Sequence, residues 1–204
     1  MSLPQTPSFR LDGRRALVTG GSKGIGLAAA AALVQAGASV TLVARNTSDL
    51  IAACDQLTKA SADASSEIRH AALDVTDSRA VSLWMASDIA VHGPFDILVN
   101  NAGTNRPSTL LEMQDADLDA MIDLNIKAAF YVAREVARGL LAANGGQGKP
   151  GSIINISSQM GHVGGPKRAV YCATKHAMEG MTKALAWWSI SPGNRFTDIC
   201  STNM

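Results

Sequence analysis

A chain of 204 residues, 47% hydrophobic but only 4% aromatic, is long enough to bury a good core within one domain. Its formal net charge of +1 gives no electrostatic ground for a nucleic acid or an anionic membrane as partner. Three widely separated cysteines (Cys54, Cys172 and Cys200) lack metal-ligand spacing, and residues 1–14 lack an apolar leader. The expectation is a soluble cytoplasmic protein with reduced thiols and no metal.

In chain order, residues 15–19 form a short apolar strand that enters a glycine turn over 20–26 and an Ala-rich helix over 25–36, stopped by Gly37. A second strand spans 39–44. A helix over 48–61 follows, with Thr47 or Ser48 as its cap. Residues 67–73 make a third strand ending at Asp74, and 77–92 a helix capped by Thr76 or Asp77 and broken at Gly93-Pro94. Residues 95–99 form a fourth strand that runs into Asn100-Asn101-Ala102-Gly103. A long helical pattern covers 116–143, and a Gly-rich turn covers 144–150. A buried strand over 151–157, a loop, a helix carrying Tyr171 and Lys175, and a sixth strand over 195–200 complete the pattern. Apolar strands alternating with helices predict an α/β fold whose parallel sheet is covered by helices on both faces.

Residues 19–26 read TGGSKGIG between a strand and a helix, the context in which glycines serve a dinucleotide. Glycines there allow a tight turn, a close approach to pyrophosphate and close helix–strand packing, while the helix start offers unpaired N–H groups to phosphate. The end of the second strand has Ala44 then Arg45, and Lys23 lies in the glycine turn. Two cations and no carboxylate favour the 2′-phosphate of NADP over the free ribose of NAD. Asp74 is placed to accept from an adenine amino group, and Asn101, Ala102 and Gly103 to run flat along the cofactor. Asn125 falls on the apolar stripe of its helix with Leu118, Ile122, Ala129, Val132 and Val136, so its amide must be hydrogen-bonded. Tyr171 and Lys175 share one helix face one turn apart, where an ammonium would favour the phenolate.

Taken in order, these motifs resemble the short-chain dehydrogenase/reductase family of the single-domain type, from Phe9 to about Cys200. The resemblance implies one NAD(P)-binding Rossmann domain, doubly wound, over residues 1–204. It implies a catalytic tetrad of Asn125, Ser158, Tyr171 and Lys175, and hydride transfer between a nicotinamide and a small-molecule carbonyl or secondary alcohol. It implies that Gly20, Ser22, Lys23, Gly24, Ile25, Gly26, Arg45, Asp74, Val75, Asn101, Ala102, Gly103, Tyr171 and Lys175 hold the cofactor. Tyr171 gives or takes the proton of the reacting oxygen, and Ser158 hydrogen-bonds that oxygen. Lys175 holds the ribose, and Asn125 holds a water that connects Lys175 to solvent. Ser158, Gln159, Met160, His162 and Tyr171 are expected to line the substrate pocket, with His162 either bonding a polar substrate or without a role. Cys172 and His176 are read as packing residues. The Ser-Gln-Met-Gly wording is most similar to sugar-acid dehydrogenases and 3-oxoacyl thioester reductases. The family also leaves room for a homo-oligomer, dimer or tetramer. Residues 187–204 depart from the family pattern, with Ser201 where a proline is expected, and the last helix and strand are expected to be missing. The alternative is therefore a truncated, non-catalytic relative that binds nucleotide or a protein partner.

Overall fold

The computed structural model describes residues 8–61, 66–187 and 195–199. The strands are β1 (Arg15–Thr19), β2 (Ser39–Ala44), β3 (Ile68–Ala72), β4 (Ile97–Asn100), β5 (Ser152–Ile156) and β6 (Arg195–Ile199). The helices are α1 (Gly24–Gln35), α2 (Thr47–Ala60), α3 (Ser78–His92), α4 (Asp115–Ile122), α5 (Ala128–Ala142) and α6 (Ala169–Trp187). All five strand pairings are parallel, in the order β3-β2-β1-β4-β5-β6. This is the order of a doubly wound sheet whose crevice lies beyond the carboxyl ends of its strands. Cys200 and most of the anomalous stretch over 187–204 lie outside the described residues.

Strand alternation divides the core into two layers, because successive side chains point to opposite faces. In β1, Ala16 and Val18 pack with Ala30, Val34, Leu50 and Leu57 of α1 and α2. Leu17, on the other face, joins Val81, Met85, Phe95, Val132, Val136 and Leu140 from the side of α3 and α5. The amino end of the sheet is closed by ion pairs. Asp88 binds Arg15 and Arg69, while Asp96 accepts from Arg14 Nη1 at 2.9 Å and approaches Lys149 Nζ at 2.7 Å. Such buried pairs contribute little net stability, but they occupy the end of the sheet opposite the carboxyl ends of the strands.

Two of the helix features differ from expectation and one agrees. The cap of α2 is Asn46, whose side chain accepts from Asp49 N, rather than Thr47 or Ser48. Asp77 does cap α3, accepting from Arg79 N and Ala80 N. The long helix over 116–143 is interrupted by a π turn at Asp123–Lys127, with Asn125 at its middle. An inserted π residue displaces the stripe and commonly marks a functional position.

Inside the sheet, Asn100 of β4 and Asn155 of β5 are register partners. Asn100 Nδ2 donates to Asn155 Oδ1 at 3.0 Å, and Asn155 Nδ2 to Thr182 Oγ1 of α6 at 2.8 Å. This row of buried polar groups joins the two strands that end at the site to the helix that covers them. Among the described residues no helix is long and apolar enough to cross a membrane, and no cluster of His, Cys, Asp and Glu could hold a metal ion.

Candidate active site

Three of the four glycines in the turn have separate reasons to be glycine. Gly20 has a φ of 62°, which permits the sharp exit from β1, and its N–H donates to Val43 O at 2.8 Å. Gly26 lies under α1, where a Cβ would stand 2.4 Å from Gly20 O and 2.5 Å from Asn101 Nδ2. Gly24, with a φ of 57°, has nothing within 4 Å of a Cβ and faces open space. Lys23 occupies the N-cap position in extended backbone with no side-chain cap bond, so no side chain satisfies the first amides of α1 there.

Asn101 also has a role within the fold. Its Nδ2 donates to Thr19 O and to Gly20 O, both at 3.1 Å, and Thr19 Oγ1 accepts from Asn101 N and Ala102 N at 3.1 Å. The amide therefore clamps the turn after β4 to the turn after β1, and Asn101, Ala102 and Gly103 all line the cleft.

That cleft has a volume of about 580 Å³. Gly20, Ser22, Lys23, Gly24, Ile25, Arg45, Asp74, Val75, Asn101, Ala102 and Gly103 all line it. Gly26 lies beneath the wall as a packing residue. The end of β2 carries no carboxylate, but α2 brings Asp49, with Asn46, to the same cleft, and neither was foreseen. Leu73 and Leu124 also line it and were not foreseen. Asp74 Oδ1 accepts from Thr76 N at 3.0 Å and Thr76 Oγ1 at 2.8 Å, so one oxygen is committed and Oδ2 is the one left for a ligand. The Thr76 amide, then its hydroxyl and the Arg45 guanidinium, hold the Asp74 carboxyl below its ordinary range against a partial desolvation.

The second group adjoins the cleft at Gly103, where a Cβ would lie 3.2 Å from Asn125 Oδ1 and 4.0 Å from Lys175 Nζ. Asn125 is fully buried. Its Oδ1 accepts from Thr104 N at 2.8 Å, and its Nδ2 donates to Thr104 O at 2.9 Å and to Thr174 Oγ1 at 3.0 Å. The side-chain amide is thus committed to ordering the loop after β4 against α6. A water held by Asn125 would need its main-chain carbonyl or the second lone pair of Oδ1.

Lys175 is buried, and its Nζ donates to Ile156 O at the end of β5 at 2.7 Å. Burial lowers its pKa from 10.5 to about 8, partly opposed by the Glu179 carboxylate. The ammonium lies 5.8 Å from the centre of the Tyr171 ring. Ser158 is buried and caps a short 3-10 turn over Gln159–Gly161, its Oγ accepting from Met160 N at 3.2 Å. A hydroxyl that accepts in this way retains its O–H to donate.

The residues after Ser158 do not act as a group. Gln159 is exposed. Met160 packs inward, with Sδ 3.7 Å from Cys172 Sγ and against Gly165. His162 Nε2 lies 3.4 Å from Glu179 Oε1 of α6. Cys172 is buried, as expected of a packing residue, but His176 is exposed, with Nδ1 2.9 Å from Cys172 O. Thr19, Thr104, Thr174 and Glu179 all hold site residues and gave no signal in the sequence, where each reads as an ordinary polar residue.

The sheet order, the glycine turn and the cleft at the carboxyl ends define a Rossmann-type protein. The chain belongs to the short chain dehydrogenase family, whose sequence model matches residues 14–193. It is similar to D-erythrulose reductase of Gallus gallus, with 38% identity over 182 residues covering 88% of this chain and 67% of that protein. It is also similar to 2-keto-3-deoxy-L-fuconate dehydrogenase of Xanthomonas campestris, with 37% identity over 201 residues covering 98% of this chain and 61% of that protein. Among solved structures it resembles a gluconate 5-dehydrogenase from Burkholderia cenocepacia in complex with NADP and tartrate. The TM-score there is 0.85 at 33% identity, over 96% of this chain and 73% of that one. The chain spans about two thirds of the length of the curated relatives it matches.

Proposed function

We propose that this protein is an NADP-dependent oxidoreductase that interconverts a carbonyl and a secondary alcohol on a sugar acid or keto sugar. The observation that carries the reading is the meeting at Gly103 of an open glycine-walled cleft with the Asn125, Tyr171 and Lys175 group. The residues fit a dinucleotide: Gly24 opens an uncapped helix start toward the cleft, and Lys23 and Arg45 supply positive charge on its wall. When bound, the nicotinamide supplies or accepts the hydride. Tyr171 then moves the proton at the substrate oxygen, and the Ser158 O–H donates to that oxygen while its lone pair stays on Met160 N. Lys175, anchored to Ile156 O, holds positive charge beside the tyrosine ring and offers further N–H groups to a ribose. Asn125 keeps the loop after β4 in place against α6. The names of the relatives favour sugar acids and keto sugars over 3-oxoacyl thioesters.

The test is turnover of NADPH by the purified protein with a panel of keto sugars, keto sugar acids and a 3-oxoacyl thioester, followed at the nicotinamide absorbance. Activity on the sugar compounds that falls at least a hundredfold in Tyr171→Phe supports the reading. Tight NADPH binding without turnover of any substrate would instead identify a nucleotide-binding relative without catalysis.

A further inference from the structure

Glu179 is a buried acid that the reaction as derived above does not use. It lies one turn beyond Lys175 on α6 and is only 3% exposed. Three features converge on it. The Gly161 position stands directly over it, where a Cβ would be 3.0 Å from Glu179 Cγ and 3.1 Å from Oε1. The imidazole of His162 lies on its solvent side, 3.4 Å from Oε1. Lys175, one turn earlier on the same helix, feels its charge. The turn over 159–161 that carries Ser158 therefore rests on the helix that carries Tyr171 and Lys175, and Glu179 is at the junction.

We infer that Glu179 is a positioning residue of this site, its carboxylate seating the serine-bearing turn on α6 and supporting the positive charge of Lys175. The inference rests on the reading of Lys175 and Tyr171 as the proton-handling pair, and it adds a residue to that pair. Gly161 is then explained as well, since a Cβ there would stand 2.8 Å from Ser157 Oγ and would crowd the Glu179 side chain at 3.0 Å. His162, placed in the sequence either against a polar substrate or without a role, lies beside the acid.

Among the charged groups on and around this helix, Glu179 is the one whose charge raises the pKa of Lys175. On α6, His176 and Lys183 are exposed. From the π turn, Asp123 is engaged by Lys127 at 2.7 Å. On α4, Asp117 pairs with Arg106, while Asp115 and Asp119 complete its acids. The turn over 159–161 contributes His162, and β6 carries Arg195 and Asp198 in its sequence. Burial opposes the charge on Lys175 and the Glu179 carboxylate favours it, giving a pKa of about 8.

The test reads Lys175 directly, with no need for turnover. The full chain carrying 13Cε-labelled lysine is titrated by NMR, with Lys175→Met identifying the resonance. The wild-type midpoint is expected near the value above, and Glu179→Gln, which keeps the shape and removes the charge, shifts it downward. Glu179→Asp restores much of it. Gly161→Ala, which crowds Ser157 Oγ and the Glu179 side chain without removing the charge, also shifts the midpoint and gives a second perturbation should Glu179→Gln fail to fold. In the NADPH assay, the Glu179→Gln variant moves the pH profile of kcat with little change in KM for NADPH. A Lys175 midpoint unchanged in any folded Glu179→Gln or Gly161→Ala protein overturns the inference. A shifted midpoint in a protein that turns over no carbonyl overturns the oxidoreductase reading and leaves this one standing.

Discussion

Gly26→Ala probes whether the turn after β1 and the start of α1 form a single rigid seat. Helix propensity alone favours the change by about 1 kcal/mol, since Gly26 is helical and has no positive φ. Its new Cβ, however, would stand 2.4 Å from Gly20 O and 2.5 Å from Asn101 Nδ2. Neither neighbour can yield freely. Gly20 is tied to Val43 O at 2.8 Å, and the Asn101 amide donates to Thr19 O and Gly20 O at 3.1 Å. Reaching van der Waals separation takes a displacement of roughly 1 Å. Overpacking of this kind costs about 1–3 kcal/mol, and weakening two hydrogen bonds costs about 1 kcal/mol each. With the propensity gain subtracted, the net loss is about 2–4 kcal/mol, or roughly 4–16 °C in Tm for a chain of this size. Urea and thermal unfolding measure it, alongside NADPH affinity, which should fall at least tenfold. Gly180→Ala in α6 is the companion variant. A Cβ there meets nothing within 4 Å, so it should gain about 0.5–1 kcal/mol and leave NADPH affinity alone. A Gly26→Ala protein as stable as the wild type would refute the argument for the seat.

Asn125→Ala removes three hydrogen bonds and leaves Thr104 N and O without their partner, so urea unfolding should show a loss of about 2–4 kcal/mol; a loss below 1 kcal/mol would contradict the bonding described. Arg45→Ala should weaken NADP binding by about tenfold, or 1.4 kcal/mol, and NAD binding far less; equal effects in calorimetry would remove the argument for the 2′-phosphate. Asp74, held below its ordinary range in the folded state, stabilises the fold above pH 3.8, and that contribution is lost as pH falls through its lower folded value. The Tm gap between wild type and Asp74→Asn should accordingly be present at pH 7 and close in acid. Lys175 shows the opposite dependence. Its folded pKa of about 8 lies below the model-compound 10.5, so burying the charge costs about 3 kcal/mol at pH values below 8, a cost that fades as pH rises toward 10.5. Wild type should thus gain stability relative to Lys175→Met across that interval, and parallel curves would refute the burial account.

Most of the cleft was legible because its residues sit where strand, glycine turn and helix succeed each other. Gly20, Gly24 and Gly26 could be read from spacing, although only the packing separates the one that faces the cleft from the one beneath it. The α2 cap was misread because Asn46, Thr47 and Ser48 are all good caps, and sequence does not rank three neighbours. Asp49 escaped notice for the same reason: its place on the wall depends on where that helix begins. The π turn left no trace, since one extra residue per turn leaves an apolar stripe readable on either side of it. Glu179 four residues after Lys175 reads as a solvated helical pair, and only the turn over 159–161 buries it. β3 was extended too far at both ends because its pattern, IRHAA, carries little apolar signal for a lateral strand.

The Asn100–Asn155–Thr182 row has a consequence for how the sheet assembles. Side chains alternate across a strand, so a slip of one residue between β4 and β5 would swing one asparagine to the opposite face and strand both amides in apolar surroundings. Two aliphatic strands would otherwise tolerate several alignments at similar energy. The paired amides make one alignment selectively favourable, and Asn101 and Ser158, which follow these strands in sequence, inherit their relative height from it. Replacing both asparagines by leucine should accordingly yield a chain that still collapses but populates more than one strand alignment.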